Sequence, residues 1–366
     1  MSLSIPPDIR CAQDYEALAP RHLAAPTFAY VAGGSGHDLT VAANRAAFGQ
    51  WHIVPRLLRD VSAGHTRITL AGEDYAHPLF LAPVAFHKLV HGAGEIDTAR
   101  AAHAVDACLI TSTLASCTLE DVARAAGPQR WFQLYFQPQR EATLDLLRRA
   151  EAAGYGAIVL TLDAPIQVAS RGALALDFRL PPECVAASLA PYPAAPPAQL
   201  ADGESRIFQG VMRSAPTWDD LAWLLAQARV PVWVKGVLHQ DDATALRSAG
   251  VAGIVVSNHG GRSLDGAPAS LDALPAIRAA LGPDFPLLFD GGVRSGADIF
   301  KALALGAGAV AVGRLQLYAL SVAGALGVAH MMKLLLEELE VCMALAGCAT
   351  VDQITASALQ AKRTPC

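Results

Sequence analysis

The 366-residue chain has little charge and no surplus of either sign: 28 Lys and Arg stand against 33 Asp and Glu, a net −5. Without a basic excess to neutralise phosphates, nucleic-acid binding as the main task is excluded. Its seven cysteines (Cys11, Cys108, Cys117, Cys184, Cys342, Cys348 and Cys366) include no CxxC pair. That odd, scattered set excludes a disulfide framework and a structural zinc site, and the lack of CxxCH leaves an attached cytochrome unsupported. Long apolar runs are also missing. Ala302–Val312 and Leu315–Ala329 are separated by Gly313-Arg314, and neither half reaches the ~18–20 residues of a membrane span. The opening MSLSIPPDIRCAQDYEAL shows no apolar signal core, so a cytoplasmic protein off the membrane is expected. Apolar residues themselves are plentiful at 53%, which excludes intrinsic disorder. A core from a chain this long needs no staple.

Eight short apolar runs recur along the sequence: PLFLAPVA, ACLITST, RWFQLYF, AIVLTLD, PVWVKGV, AGIVVSN, PLLFDGG and AVAVGR. Each is almost continuously apolar, as suits a strand buried on both faces of a parallel sheet. Helical patterns such as REATLDLLRRAEAAG and GADIFKALALG lie between them, several ending in Gly. Eight strands alternating with helices predict an α/β (β/α)8 TIM barrel in one domain over 1–366, with an open doubly wound sheet as the alternative. Residues 1–75 read as a mostly helical N-terminal extension ending in a hairpin. The Pro- and Ala-rich stretch after strand four, 164–216, is too long for an ordinary βα connection of ~2–6 residues and is a candidate lid.

In such a barrel the chemistry belongs at the C-terminal ends of the strands. Polar residues gather there: Ser112, Gln133 and Tyr135, Thr161 and Asp163, Lys235, Ser257-Asn258-His259, Asp290, and Gly313-Arg314. His259 and Arg262 in VSNHGGRSLDG combine a proton acceptor with a guanidinium that can fork onto a carboxylate. They suit an acid substrate from which hydrogen is removed. His22, His52, His65, His77, His103 and His330 read instead as structural. DGGVRSG and AVGR follow strands seven and eight, the usual barrel phosphate position, each with glycines and an arginine, Arg294 and Arg314. Lys235 needs a negative partner, either a cofactor group or Asp290. Asp163 is either a helix cap or the group that orients His259.

FAYVAGGSG, PRLLRDV, LAPVAF, WFQLY, LTLDAP, VKGV, VSNHGGRSLDG, DGGVRSGADIFKALALGA and VGR stand in this order from about Tyr15 to Ile354. The chain thereby resembles the FMN-dependent 2-hydroxy acid oxidases and dehydrogenases, the family of glycolate oxidase, lactate oxidase and mandelate dehydrogenase, and within it the mandelate and 4-hydroxymandelate oxidase branch. The resemblance implies FMN as cofactor and His259 as the base that takes the substrate hydroxyl proton as hydride passes to flavin N5, a carbanion route being the other possibility. It implies Asp163 as support for His259, Arg262 and Tyr30 as carboxylate holders, and Tyr135 as a contact to the hydroxyl. Lys235 would stand beside flavin N1 and O2. Backbone at Val84 and Ala85, with Ser112, Gln133, Thr161 and Ser257, would hold the ring and ribityl chain. Asp290, Gly292, Arg294, Gly313 and Arg314 would take the ribityl and phosphate end.

Two departures from the family pattern bear on the substrate. Leu114 replaces the Trp many members carry after strand two, which implies a pocket for a bulkier, aromatic (S)-2-hydroxy acid. A second carboxylate-binding arginine is expected at the position of Ser170, and Arg171 follows one residue later; either the loop shifts and Arg171 serves, or Arg262 and Tyr30 act alone. The resemblance further implies O2 or another electron acceptor, and a homotetramer or octamer.

Overall fold

The computed structural model describes residues 4–193 and 199–362, so part of the expected lid, 194–198, falls outside the described residues. The eight apolar runs become eight parallel strands: β1 (Leu79–Leu81), β2 (Leu109–Ser112), β3 (Arg130–Leu134), β4 (Ile158–Thr161), β5 (Val232–Val237), β6 (Gly253–Val256), β7 (Leu287–Asp290) and β8 (Ala309–Val312). Each pairs with its neighbour in sequence and β8 returns to β1, closing a barrel. Closure, rather than an open sheet, leaves no edge strand exposed. It is the (β/α)8 architecture.

Alternation along the strands sorts the barrel interior into an apolar floor and a polar mouth. Trp131, Gln133 and Tyr135 share one face of β3 and its extension, as Trp233 and Lys235 share one face of β5. The large rings close the floor: Trp131 lies 4.8 Å from Trp233 and 5.3 Å from Phe80, with Tyr75 4.9 Å from Phe80. Tyr75 arrives on the expected hairpin, Ile68–Leu70 paired antiparallel with Glu73–Tyr75. The register slips between Lys235 and Val237. There Gly236 has a φ of +101°, and a Cβ on it would stand 2.3 Å from the Asp163 Cβ. Only glycine lets β5 bulge past Asp163 there.

Helices follow the strands with local signals at their starts. Thr118 accepts from Asp121 N, Thr217 and Asp220 form a capping box, and Ser295 accepts from Asp298 N. The extension is helical over Asp14–Leu18, Ala25–Ala32 and Leu39–Phe48. Its following strand, Trp51–Ile53, pairs with Leu359–Ala361. One element exceeds expectation: Arg314–Ala346 forms a 33-residue helix, long and apolar enough by length and composition to cross a membrane. Half of its most apolar window is buried in the protein, against helices Glu95–Ala104 and Gly296–Ala304. Non-helical geometry at Ala323 and Gly324 breaks it partway.

Candidate active site

A cavity opens at the C-terminal mouth of the barrel, and most of the polar residues singled out above line it. The first wall is β6 and its turn. His259 has a left-handed φ of +59°, a strained conformation for a non-glycine residue that the surroundings must hold. Its backbone N–H donates to Ser257 Oγ at 3.0 Å, and its Nδ1 lies 2.8 Å from Asp163 Oδ1. The Tyr135 hydroxyl lies 3.4 Å from Nε2 on the other side of the ring. Asp163 is therefore an orienting carboxylate, set behind the imidazole. Burial works against its ionisation, but His259 and then Lys235 outweigh that and hold its carboxyl below the usual range. Burial pushes the Tyr135 phenol well up, so it stays protonated and can donate. Among the described residues, His259 is the only histidine lining the cavity.

Lys235 meets both of its proposed partners' requirements at once. Its Nζ donates to Ser257 Oγ at 2.7 Å and lies 3.2 Å from Asp290 Oδ2, while the side chain still faces the cavity. Behind it, Gln133 Nε2 and Thr161 Oγ1 are buried without a hydrogen-bond partner. Buried polar atoms without partners are costly, and both residues line this cavity. They are a donor and a hydroxyl waiting for a polar ring system. Ser112 Oγ and Thr113 N donate to Gln133 Oε1 and fix the amide's orientation. Val84 and Ala85 present backbone on the loop after β1.

Gly292, Gly313, Arg294 and Arg314 line a further wall. Arg314 donates to the carbonyls of Val31, Gly260 and Gly33, at 2.8 to 3.0 Å. Burial, with Arg262 and Arg294 nearby, pushes its pKa down to about 10. Arg294 forks onto Glu16, at 2.6 and 3.0 Å. The donor set of glycine backbone, two arginines, a buried lysine and unpartnered amide and hydroxyl groups fits a flavin mononucleotide from phosphate to ring.

The substrate end is held by the extension. Arg262 Nη1 donates to the carbonyls of Tyr30 and Gly33 at 2.8 and 2.9 Å, and the guanidinium stands 4.7 Å over the Tyr30 ring. Phe178 stacks on the Tyr30 ring, with centroids 4.3 Å apart. Leu114 lines the cavity as expected. Arg171 does not: its Nη1 reaches His37 Nε2 at 3.0 Å, outside the cavity. The cause is the Gly36–Ser170 bridge, which fixes the register of this loop and turns Arg171 outward. Ser170 itself is buried against Gly33, where a Cβ would meet its Oγ at 2.4 Å. From residues 164–193 and 199–216, the cavity takes only Gln167. Sequence reasoning also missed Glu16, Phe178 and Asn44, whose amide exchanges two bonds of 2.8 Å with that of Asn258. All of these meet partners far away in the chain and carry no local signature.

Comparison with known proteins agrees with this cavity. The family model described as FMN-dependent dehydrogenase matches residues 19–361. An L-lactate oxidase of Alicycliphilus denitrificans is 68% identical over 351 residues, 96% of either chain. The human 2-hydroxyacid oxidase 2 is 38% identical, over 96% of this chain and 99% of its own. Among solved structures, mandelate oxidase with (S)-4-hydroxymandelic acid superposes with a TM-score of 0.88 at 38% identity, covering 97% of this chain and 100% of that one. Mandelate oxidase with (S)-2-phenylpropionate gives 0.86 at 39% identity, covering 97% and 98%. The chain belongs to the FMN-dependent dehydrogenase family, as an FMN-dependent enzyme that oxidises a 2-hydroxy acid.

Proposed function

We propose that the enzyme oxidises a bulky, aromatic (S)-2-hydroxy acid such as mandelate to the 2-oxo acid, with O2 as final acceptor and hydrogen peroxide as product. The observation that carries this reading is the line Asp163–His259–Tyr135, at 2.8 and 3.4 Å, opening with Arg262 onto one cavity. The flavin supplies the two-electron acceptor. His259 Nε2 takes the hydroxyl proton, and Asp163 on Nδ1 stabilises the imidazolium that forms. Tyr135 donates to the substrate oxygen, and Arg262 holds the acid end with its free Nε and Nη2. Leu114, smaller than a tryptophan, leaves room for a ring. O2 as acceptor is supported by the relatives, which are named oxidases.

A second reading, a small aliphatic acid such as L-lactate, is favoured by the 68%-identical relative named L-lactate oxidase. Anaerobic bleaching of the flavin by glycolate, L-lactate, both mandelate enantiomers and 4-hydroxymandelate separates the two. Preference for (S)-mandelate supports the aromatic reading, and preference for lactate replaces it. Admission of air then identifies the acceptor: slow recolouring rejects O2 in favour of another electron acceptor, as in a dehydrogenase.

A further inference from the structure

We propose that Asn44 and Arg45, neighbours on the helix Leu39–Phe48, are positioning residues that join the turn of His259 to the loop Asp290–Arg294, so that seating FMN and setting the base are coupled. The proposal rests on the reading above, with His259 as the base and that loop at the FMN phosphate. Neither Asn44 nor Arg45 lines the cavity. The turn needs outside support, because His259, Gly260 and Gly261 are left-handed in succession, with φ of +59°, +63° and +78°. Such a conformation is costly for a non-glycine residue and persists only when its surroundings over-determine it.

Asn258, the residue before the base, supplies that support and takes it in turn from Asn44. Both side chains are buried, each residue being 3% exposed. Asn258 Oδ1 accepts from the Gly261 N–H at 3.1 Å and from Asn44 Nδ2 at 2.8 Å. Its Nδ2 donates to the Pro268 carbonyl at 3.0 Å and to Asn44 Oδ1 at 2.8 Å. All four bonding positions of the Asn258 amide are therefore filled. Asn44 Oδ1 accepts a second bond, from Ser270 N at 3.2 Å. The same turn of helix meets the phosphate loop. A Cβ on Gly292 would stand 2.4 Å from the Asn44 carbonyl oxygen, so the loop lies directly against the helix backbone. Arg45 Nη1 donates to the Gly292 carbonyl and lies 3.2 Å from Asp298 Oδ2, which also accepts from Arg294 N at 2.9 Å. A shift of this helix moves the base and the phosphate loop together. A ligand that fixes the loop thus favours one placing of the base, and the coupling is reciprocal.

The test has two readouts: the Kd of FMN on reconstitution, and the anaerobic rate of flavin reduction by saturating hydroxy acid in the fully loaded protein. Asn44→Ala and Asn258→Ala should each slow reduction by about tenfold or more, the effect of two lost hydrogen bonds. Their double variant should lose no more than about threefold beyond the slower single, because the two amides act as one unit. Asn44→Ala and Arg45→Ala should each raise the Kd of FMN by more than about threefold. Arg45→Ala should also slow reduction by more than about threefold once loaded, although its side chain touches only the phosphate-loop side. A smaller effect in any of these, or additive losses in the double variant, overturns the proposal while the hydroxy-acid reading stands. Should Asn44→Ala not fold, Arg45→Ala decides, since that side chain is 37% exposed and its loss leaves the buried amides paired. If no hydroxy acid bleaches the wild-type flavin, the hydroxy-acid reading falls, and the Kd of FMN in Asn44→Ala alone decides whether the helix carries the coupling.

Discussion

Replacing Asp163 by Asn should separate cofactor binding from chemistry. The carboxylate stands behind His259, 2.8 Å from Nδ1, and does not line the cavity, so FMN content should be unchanged. Proton uptake at Nε2 makes the ring an imidazolium next to a carboxylate that is itself largely buried. At 2.8 Å and an effective dielectric constant of about 20, that attraction is about 6 kcal/mol, roughly four decades in rate. Asparagine keeps a dipole toward the ring but also favours the wrong tautomer, so the loss should be at least about a thousandfold. The assay is stopped-flow loss of the oxidised flavin's visible absorbance, without oxygen, under saturating hydroxy acid. A variant that reduces its flavin within about tenfold of the wild-type rate refutes the reasoning and leaves Asp163 a structural carboxylate.

Glu16→Gln should weaken the FMN-free protein by about 2–3 kcal/mol, below the ~3–5 kcal/mol of a fully buried pair because Glu16 is partly exposed; FMN, whose phosphate can replace the lost charge beside Arg294, should narrow the difference in Tm, and an equal gap with and without FMN counts against that placement. Leu114→Trp should lower selectivity for mandelate over lactate by about 1–3 kcal/mol, tenfold to a hundredfold in the ratio of kcat/KM; an unchanged ratio removes Leu114 from the pocket argument. Stability should fall with acidity in two stages. Burial holds the His87 imidazole below its ordinary 6.5. Asp163, Glu16 and Glu95 are held below their ordinary 3.8, 4.5 and 4.5 by their partners against the effect of burial. Each group therefore binds protons more readily unfolded, and its contribution is complete above the ordinary value and lost as pH falls through the folded one. A Tm that stays flat across both ranges contradicts these environments.

The barrel and its mouth were legible because both follow short-range rules. Continuous apolar runs at regular spacing imply buried parallel strands, and a polar residue at a strand's end, such as Gln133, Thr161 or Lys235, must face the open end of the barrel. His259 was legible from the glycines that follow it. Arg171 was not, because its direction depends on a bridge between Ser170 and Gly36, a pairing that no local pattern announces. Glu16 and Phe178 were silent for the same reason: each acquires meaning only through Arg294 or Tyr30, more than a hundred residues away. The long helix Arg314–Ala346 was not legible as one element, because the sequence shows only the apolar stretch Leu315–Ala329 after Gly313-Arg314. Packing against its neighbours carries the chain through.

The wall made by the extension has a consequence for the order in which the molecule is built. The carbonyls of Val31 and Gly33 accept from Arg314, and those of Tyr30 and Gly33 from Arg262. During synthesis, at about 5–20 residues per second, the first of these segments waits roughly 15–55 s for Arg314 to be made. Loop closure over so many residues is slow for a further reason, since its entropy is lost before the contacts form. The wall of the cavity is thus among the last parts of the protein to be completed, and a nascent chain stalled before the eighth strand lacks the Arg314 guanidinium that ties the carbonyls of Val31 and Gly33 together.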